Sequence, residues 1–314
     1  MNILVLMTGG TIGSTVKDGW IATDKNKKYA LINSFTKKFG EKINFDIKEP
    51  YSLLSENLSA ENINMLIASV KENLNLNYDG IIITHGTDTL HFSTAAIHLA
   101  FGDVSIPIVF VSSNFPLEDV RSNGHANFEG AVKFIEANSG AGVYISYKNP
   151  SGKHYFHTAT NALAFGETDD SIYSLENKPF GIYDNGVVKV LENTLTDNYV
   201  FGANFCESPK ILTITIAPGD NFNYSLEGYN AVILRPYHSG TINNRNALFK
   251  AFLEKAFTKN IPVFLVNAPF STTYETVKEM KELNFIPLPR STFAAVYMRL
   301  WAGISENKNL KNLF

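Results

Sequence analysis

Short, continuous apolar runs alternate with amphipathic stretches along this chain. The runs "ILVLM" (3–7), "GIIIT" (80–84), "PIVFVSS" (107–113), "GVYISY" (142–147), "KILTITI" (210–216), "NAVILRPY" (230–237) and "IPVFLVN" (261–267) read as strands. Most are apolar throughout rather than alternating, the pattern of strands covered on both faces, as in a parallel sheet between helices. Between them, "SAENINMLIASVKENL" (59–74) sets Ile63, Leu66, Ile67 and Val70 on one stripe behind Ser59, a natural N-cap. Further helices are expected over 91–102, 126–139, 246–259, 273–284 and 292–304. Strands and helices in alternation predict an α/β architecture with right-handed crossovers.

The rhythm lapses near 190–208, where "ENTLTDNYVFGANFCESPK" carries no strong periodicity. Two domains are therefore expected, 1–190 and a smaller 210–314 joined by a linker over 191–209, each a largely parallel sheet flanked by helices. A chain of 314 residues can bury a substantial core in either division. The net charge of −3 gives no electrostatic case for nucleic acid or acidic lipid as a partner. The charged runs "DKNKK" (24–28) and "KEMKE" (278–282) read as solvated faces. A single cysteine, Cys206, excludes an internal disulfide framework and a Cys-based zinc site, and "GANFCES" shows no activating neighbour. The first apolar stretch is too short for a secretion signal, and no run approaches the ~20 apolar residues of a membrane span. A cytoplasmic protein is expected.

Two turns stand out. "TGGTIGS" (8–14) follows the first apolar run, and "THGTDT" (84–89) follows the second. In open α/β sheets ligands bind outside the carboxyl ends of the strands, so both turns lie where a site would form. Glycines 9, 10 and 13 permit close approach to the main chain. Phosphate binding is a poor reading, because neither turn has the G-x-G-x-x-G or G-K-[ST] pattern. Threonine is a weak nucleophile that needs a base or relay, which Thr87 and Asp88 would supply if the two strands are neighbours. Glycine-turn N–H groups would hold an oxyanion. Hydroxyls in turns also satisfy local backbone groups, and the physics alone leaves both roles open.

Together, "TGGTIGS" and "THGTDTL", 76 residues apart, resemble the paired signatures of the bacterial-type L-asparaginase family. Similarity extends to "EPYSLLSENLSAENI" (49–63) and "APGDN" (217–221), and so spans nearly the whole chain. The resemblance implies hydrolysis of the side-chain amide of asparagine without metal or organic cofactor. By motif match Thr11 is the nucleophile, Thr87 the second threonine centre and Asp88 the carboxylate gripping the substrate amino group. Gly10 and Gly86 border the substrate, and Ser55 and Glu56 in "SENL" hold its amino-acid head. The closest parallel is the cytoplasmic type I enzymes. Family members are homodimers or homotetramers, so a homo-oligomer is expected.

Two departures affect the chemistry. The family places a tyrosine on a flap soon after the nucleophile, where "KDGWIATD" has Trp20, whose indole only donates. Trp20 is left to cap the pocket; Tyr29 is an alternative phenol, although "KKYALI" equally begins a helix. The family lysine that pairs with the second threonine corresponds to Ala159 in "KHYFHTATNALAFGE". Lys153, His154 and His157 are the nearest cations, and His157 shares a face with position 159 in an extended segment. His85 reads as packing, and His91 with His98 lacks any metal-ligand pattern. Arg121 and Asn123 lie in a loop that resembles one near the family's site, where they equally serve as turn residues. The resulting expectation is an L-asparagine amidohydrolase. The rivals are a catalytically weakened amino-acid-binding protein and an amidase for L-glutamine, D-asparagine or an asparagine conjugate.

Overall fold

The run ahead of the first threonine turn forms β1 (Asn2–Met7), and its residues 3–6 are fully buried because both faces of the strand are covered. The computed structural model describes residues 1–23, 29–40, 42–166, 168–191, 200–268 and 274–314. These divide into two compact units, Met1–Gly202 and Ala203–Phe314, with the division falling inside the stretch read as linker.

After β1 the first unit continues through a hairpin of β2 (Ser14–Lys17) and β3 (Trp20–Thr23), then α1 (Ala30–Phe39) and β4 (Asn44–Lys48). There follow α2 (Ala60–Asn73), β5 (Gly80–Thr84), α3 (Leu90–Phe101), β6 (Pro107–Val111), α4 (Gly124–Glu136) and β7 (Gly142–Lys148). β8 (His154–Thr158), β9 (Gly181–Asp184) and β10 (Val187–Val190) complete it. Apart from the β2–β3 hairpin, the strands form one eight-stranded sheet in the order β10-β9-β8-β7-β6-β5-β1-β4. β4, β1, β5, β6 and β7 run parallel, and β8 to β10 are added antiparallel at one edge.

Alternate residues of each central strand feed two cores, as the two-residue period requires. Ile3, Val5, Ile82 and Val109 pack with Phe35 of α1 and Phe128, Ala131 and Phe134 of α4. Leu4, Leu6, Ile81 and Ile108 pack with Leu66 and Val70 of α2 and Leu90 and Ile97 of α3. α2 begins where the sequence places it: the Ser59 hydroxyl accepts from the Asn62 N–H while Asn62 Oδ1 accepts from the Ser59 N–H.

The second unit contains β11 (Ile211–Thr215), β12 (Ala231–Arg235), α5 (Ala247–Thr258), β13 (Val263–Leu265), α6 (Glu275–Met280), β14 (Ile286–Pro287) and α7 (Phe293–Ser305). Its four strands are parallel in the order β11-β12-β13-β14. Residue 273, the start of the helix expected over 273–284, lies outside the described residues. Both sheets have the α/β character read from the chain.

Several first-unit elements had no counterpart in that reading, among them β4, β9 and β10. β4 is a half-exposed edge strand with alternating burial, and α1 precedes it. β9 and β10 are short, and join through Asn185 and Gly186, both at positive φ, as a tight hairpin requires.

The densest aromatic packing is under the antiparallel edge. The fully buried Phe134 ring lies 4.8 Å from Tyr144, 4.7 Å from Phe156 and 5.9 Å from Phe180. Phe134→Ala is expected to lower unfolding free energy by about 3–5 kcal/mol, read from a urea titration with unchanged slope.

Candidate active site

β1 and β5 are neighbours, with Met7 opposite Thr84, so the two threonine turns leave the sheet side by side. The Thr8 hydroxyl donates to the Thr84 carbonyl at 2.6 Å, stitching the strands together at their carboxyl ends. Gly9 and Gly10 have φ of 95° and 76°, a region side chains disfavour. A Cβ on Gly10 would strike the backbone of Gly86, and one on Gly86 would strike the Ser55 hydroxyl. Gly10 N–H donates to the Leu53 carbonyl at 2.8 Å, and Thr89 Oγ1 donates to the Ser55 carbonyl at 2.9 Å. Three loops, 8–13, 53–57 and 84–89, are thus held against one another through main chain.

Thr11 opens a single 3₁₀ turn, Thr11–Gly13, closed by Ser14 Oγ donating to Gly10 O at 2.7 Å. Its side chain is half-buried and makes no hydrogen bond among the described residues, leaving the hydroxyl available. Thr11 lies one residue beyond the Gly10–Gly86 contact, and Thr87 one residue beyond its other side. Thr87 is half-buried and Asp88 exposed, also with unpaired side chains among the described residues. Ser55 is buried and Glu56 exposed on the 3₁₀ turn Ser55–Asn57. The N–H groups of Gly86 and Thr87 have no backbone acceptor among the described residues, whereas that of Gly10 is already committed to Leu53.

Against the second turn lies a cavity of about 500 Å³, lined by Thr87, Asp88, His91 and Asn114 and across from them by Ala164, Phe165, Asp169 and Asp170. No lysine or arginine lines it among the described residues, and neither does Thr11. Asn114 stands just past β6 and exchanges backbone-to-amide hydrogen bonds with Asn123 at 3.1 and 3.2 Å. Beneath the turn His85 Nδ1 lies 2.8 Å from the Gly86 carbonyl, which can only accept, so that nitrogen carries the proton. Burial pushes His85 and His91 down to about 4, so both rings are neutral at pH 7. No group of three or more His, Cys, Asp or Glu among the described residues could hold a metal ion.

Several expected positions fall elsewhere. Trp20 is on the β2–β3 hairpin and is 78% exposed, so it does not cap the cavity in this conformation. Tyr29 precedes the first turn of α1 and is half exposed, in keeping with the helix reading of "KKYALI". Ala159 is buried among apolar side chains, and its N–H donates to Val143 O at the amino end of β7. β7 runs parallel to β5, so Ala159 lies at the sheet end opposite the threonine turns. His157 is buried with Nδ1 2.8 Å from Ser174 Oγ and lines a different cavity, of about 380 Å³. It does not stand in for the lysine beside Thr87. His154 bonds Ser146, Lys153 is exposed, and Arg121 is paired with Asp119.

His91, Asn114, Asp169 and Asp170 are cavity residues that the sequence reading did not place. The signal for Asn114 was its position just past a strand end, and for His91 its spacing of four from Thr87. Asp169 and Asp170 arrive through a long connection with no local cue.

Fold and site define a class: an α/β protein whose hydroxyl-bearing turns meet at the carboxyl ends of a parallel sheet. A family model described as asparaginase, N-terminal, matches residues 2–194, and the chain belongs to the asparaginase family. It is 31% identical to an L-asparaginase of Thermococcus kodakarensis, over 100% of this chain and 95% of that one. It is 25% identical to a glutamyl-tRNA(Gln) amidotransferase component of Methanosarcina mazei, over 90% of this chain and 69% of the relative. The thermostable L-asparaginase from T. kodakarensis superposes with a TM-score of 0.79 at 21% identity, over 100% and 95% of the two chains. A probable cytoplasmic L-asparaginase from Campylobacter jejuni gives 0.78 at 18%, over 99% and 97%. No helix among the described residues is long and apolar enough to cross a membrane.

Gly10→Ala forces a strained φ against the Gly86 backbone and is expected to cost about 1–3 kcal/mol. Gly13→Ala meets nothing within 4 Å and is expected to be near neutral. Parallel urea titrations of the two variants check the contrast. The neutral buried rings give a second prediction. His85 and His91 at about 4, and His154 and His157 at about 3, bind protons in the unfolded chain before they do in the folded one. Their contribution to stability is present above the ordinary value of 6.5 and is lost as pH falls from there towards 4 and 3. Denaturant midpoints measured from pH 7.5 to 4.5 are expected to decline steadily below pH 6.5.

Proposed function

We propose that this protein hydrolyses the side-chain amide of L-asparagine to L-aspartate and ammonia through a threonine-bound acyl intermediate. The observation that carries the reading is the unpaired Thr11 hydroxyl, held beside the second threonine turn by the Gly10–Gly86 contact in a chain of this family. Thr11 attacks the amide carbon, and the uncommitted N–H groups of Gly86 and Thr87 receive the developing oxyanion. Ammonia leaves, and water resolves the ester to aspartate. Asp88 and Glu56 grip the substrate ammonium, and Ser55 takes its α-carboxylate. The enzyme works in the cytoplasm as a homodimer or homotetramer, without a cofactor.

A second reading has a specific support. The relative from M. mazei is named as part of an amidotransferase and is longer than its match to this chain. In that reading the same amide chemistry supplies ammonia inside a larger assembly. Ammonia release by the isolated chain separates the two.

Ammonia release from L-asparagine, L-glutamine and D-asparagine is the test. L-asparagine is expected to be turned over fastest, and Thr11→Ala to lose on the order of 10⁴-fold or more in kcat. Binding of L-asparagine by calorimetry with no turnover of any amide replaces the enzyme with a binding protein. Turnover that survives in Thr11→Ala removes Thr11 as nucleophile.

A further inference from the structure

The cavity beside Thr87 contains a histidine with an unusual status. His91 is nine-tenths buried, yet its Nδ1 is sealed from solvent without a hydrogen-bond partner. Neither ring nitrogen is hydrogen-bonded among the described residues. Leaving a buried polar atom unmatched is unfavourable, and an apolar side chain here would avoid that. The ring packs on Phe92 at 4.4 Å and lines the same cavity as Thr87 and Asp88. No ammonium or guanidinium shares that lining among the described residues.

We propose that His91 is the proton acceptor of this cavity, acting through Thr87, in the place the family gives to a lysine. The inference rests on the amidohydrolase reading and names the group that completes it. As Thr11 Oγ bonds the amide carbon, its proton passes to Thr87 Oγ, and the Thr87 proton passes to the imidazole. The imidazolium returns one proton through Thr87 to the leaving nitrogen as the C–N bond breaks, releasing ammonia. In the second half water supplies the proton while its oxygen bonds the acyl carbon. Thr11 Oγ recovers that proton as the ester bond breaks. The imidazole is neutral at the start and end of both halves.

Burial keeps the ring neutral, at about 4, so the free base is the resting form at pH 7. The charged and titratable groups around it are Asp88, Asp169 and Asp170 on the cavity wall and His85 beneath.

The experiment compares wild type, His91→Gln and His91→Ala, with thermal melts to check folding. kcat for L-asparagine is expected to fall ~10²–10⁴-fold in both variants while KM moves little. Added imidazole is expected to restore part of the kcat of His91→Ala, with the rate following the pKa of substituted imidazoles. A folded His91→Gln enzyme within about threefold of wild-type kcat, against the expected loss, overturns the assignment and leaves the amidohydrolase reading standing. So does a slow His91→Ala that no imidazole rescues. Wild type inert towards every amide overturns the amidohydrolase reading itself and the His91 role with it, whereas activity that survives Thr11→Ala removes Thr11 as nucleophile and overturns the relay assigned to His91.

Discussion

The site depends on one contact, the backbone of Gly10 against the backbone of Gly86. Two parallel strands in register deliver their turns to the same place, but side chains on those turns would hold them apart. Glycine at both positions lets main chain meet main chain, so the residues that follow, Thr11 and Thr87, are set by the sheet and not by flexible loops. The Thr8–Thr84 hydrogen bond and the Gly10–Leu53 bond fix the same junction from below and from the side. Each is worth only ~1 kcal/mol. Their importance lies in geometry, because a hydroxyl displaced by an ångström loses orders of magnitude in rate.

The second constraint is electrostatic. Asp88, Asp169 and Asp170 line the cavity with no lysine or arginine among its described lining residues. Such a wall attracts an ammonium and repels a lone carboxylate, which suits the amino end of the substrate proposed above. In the proposed reaction the substrate carboxylate is received elsewhere, and Ser55, buried against Gly86, is the hydroxyl that the third loop offers. The buried imidazoles fit this arrangement because they add no charge at pH 7. A permanent cation would instead pair with Asp88 and compete with the substrate.

The central fold was legible because its signals are local. Continuous apolar runs mark buried parallel strands, and glycine-rich turns mark their carboxyl ends, so the neighbourhood of Thr11 and Thr87 could be inferred from the chain alone. The antiparallel edge was not. β9 and β10 are short and polar on one side, although the "DNG" between them is a hairpin signal that could have been used. The family lysine matches Ala159 by motif, but β8 runs antiparallel to β7 and carries Ala159 to the sheet end away from the threonines. Placements that depend on such reversals, like that of Asp169 on the cavity that Thr87 lines, have no local sequence cue.

A relay built on a neutral base differs physically from one built on an ammonium pair. With lysine, the cation and a nearby carboxylate stabilise each other before substrate arrives, and the polar network is complete in the empty enzyme. With His91 the resting cavity holds only carboxylates and uncharged donors, and charge separates only while a proton is in transit. A replacement of this kind does not require a cation at position 159. It requires a ring nitrogen that no protein group already holds, and both nitrogens of His91 are without a hydrogen-bond partner among the described residues.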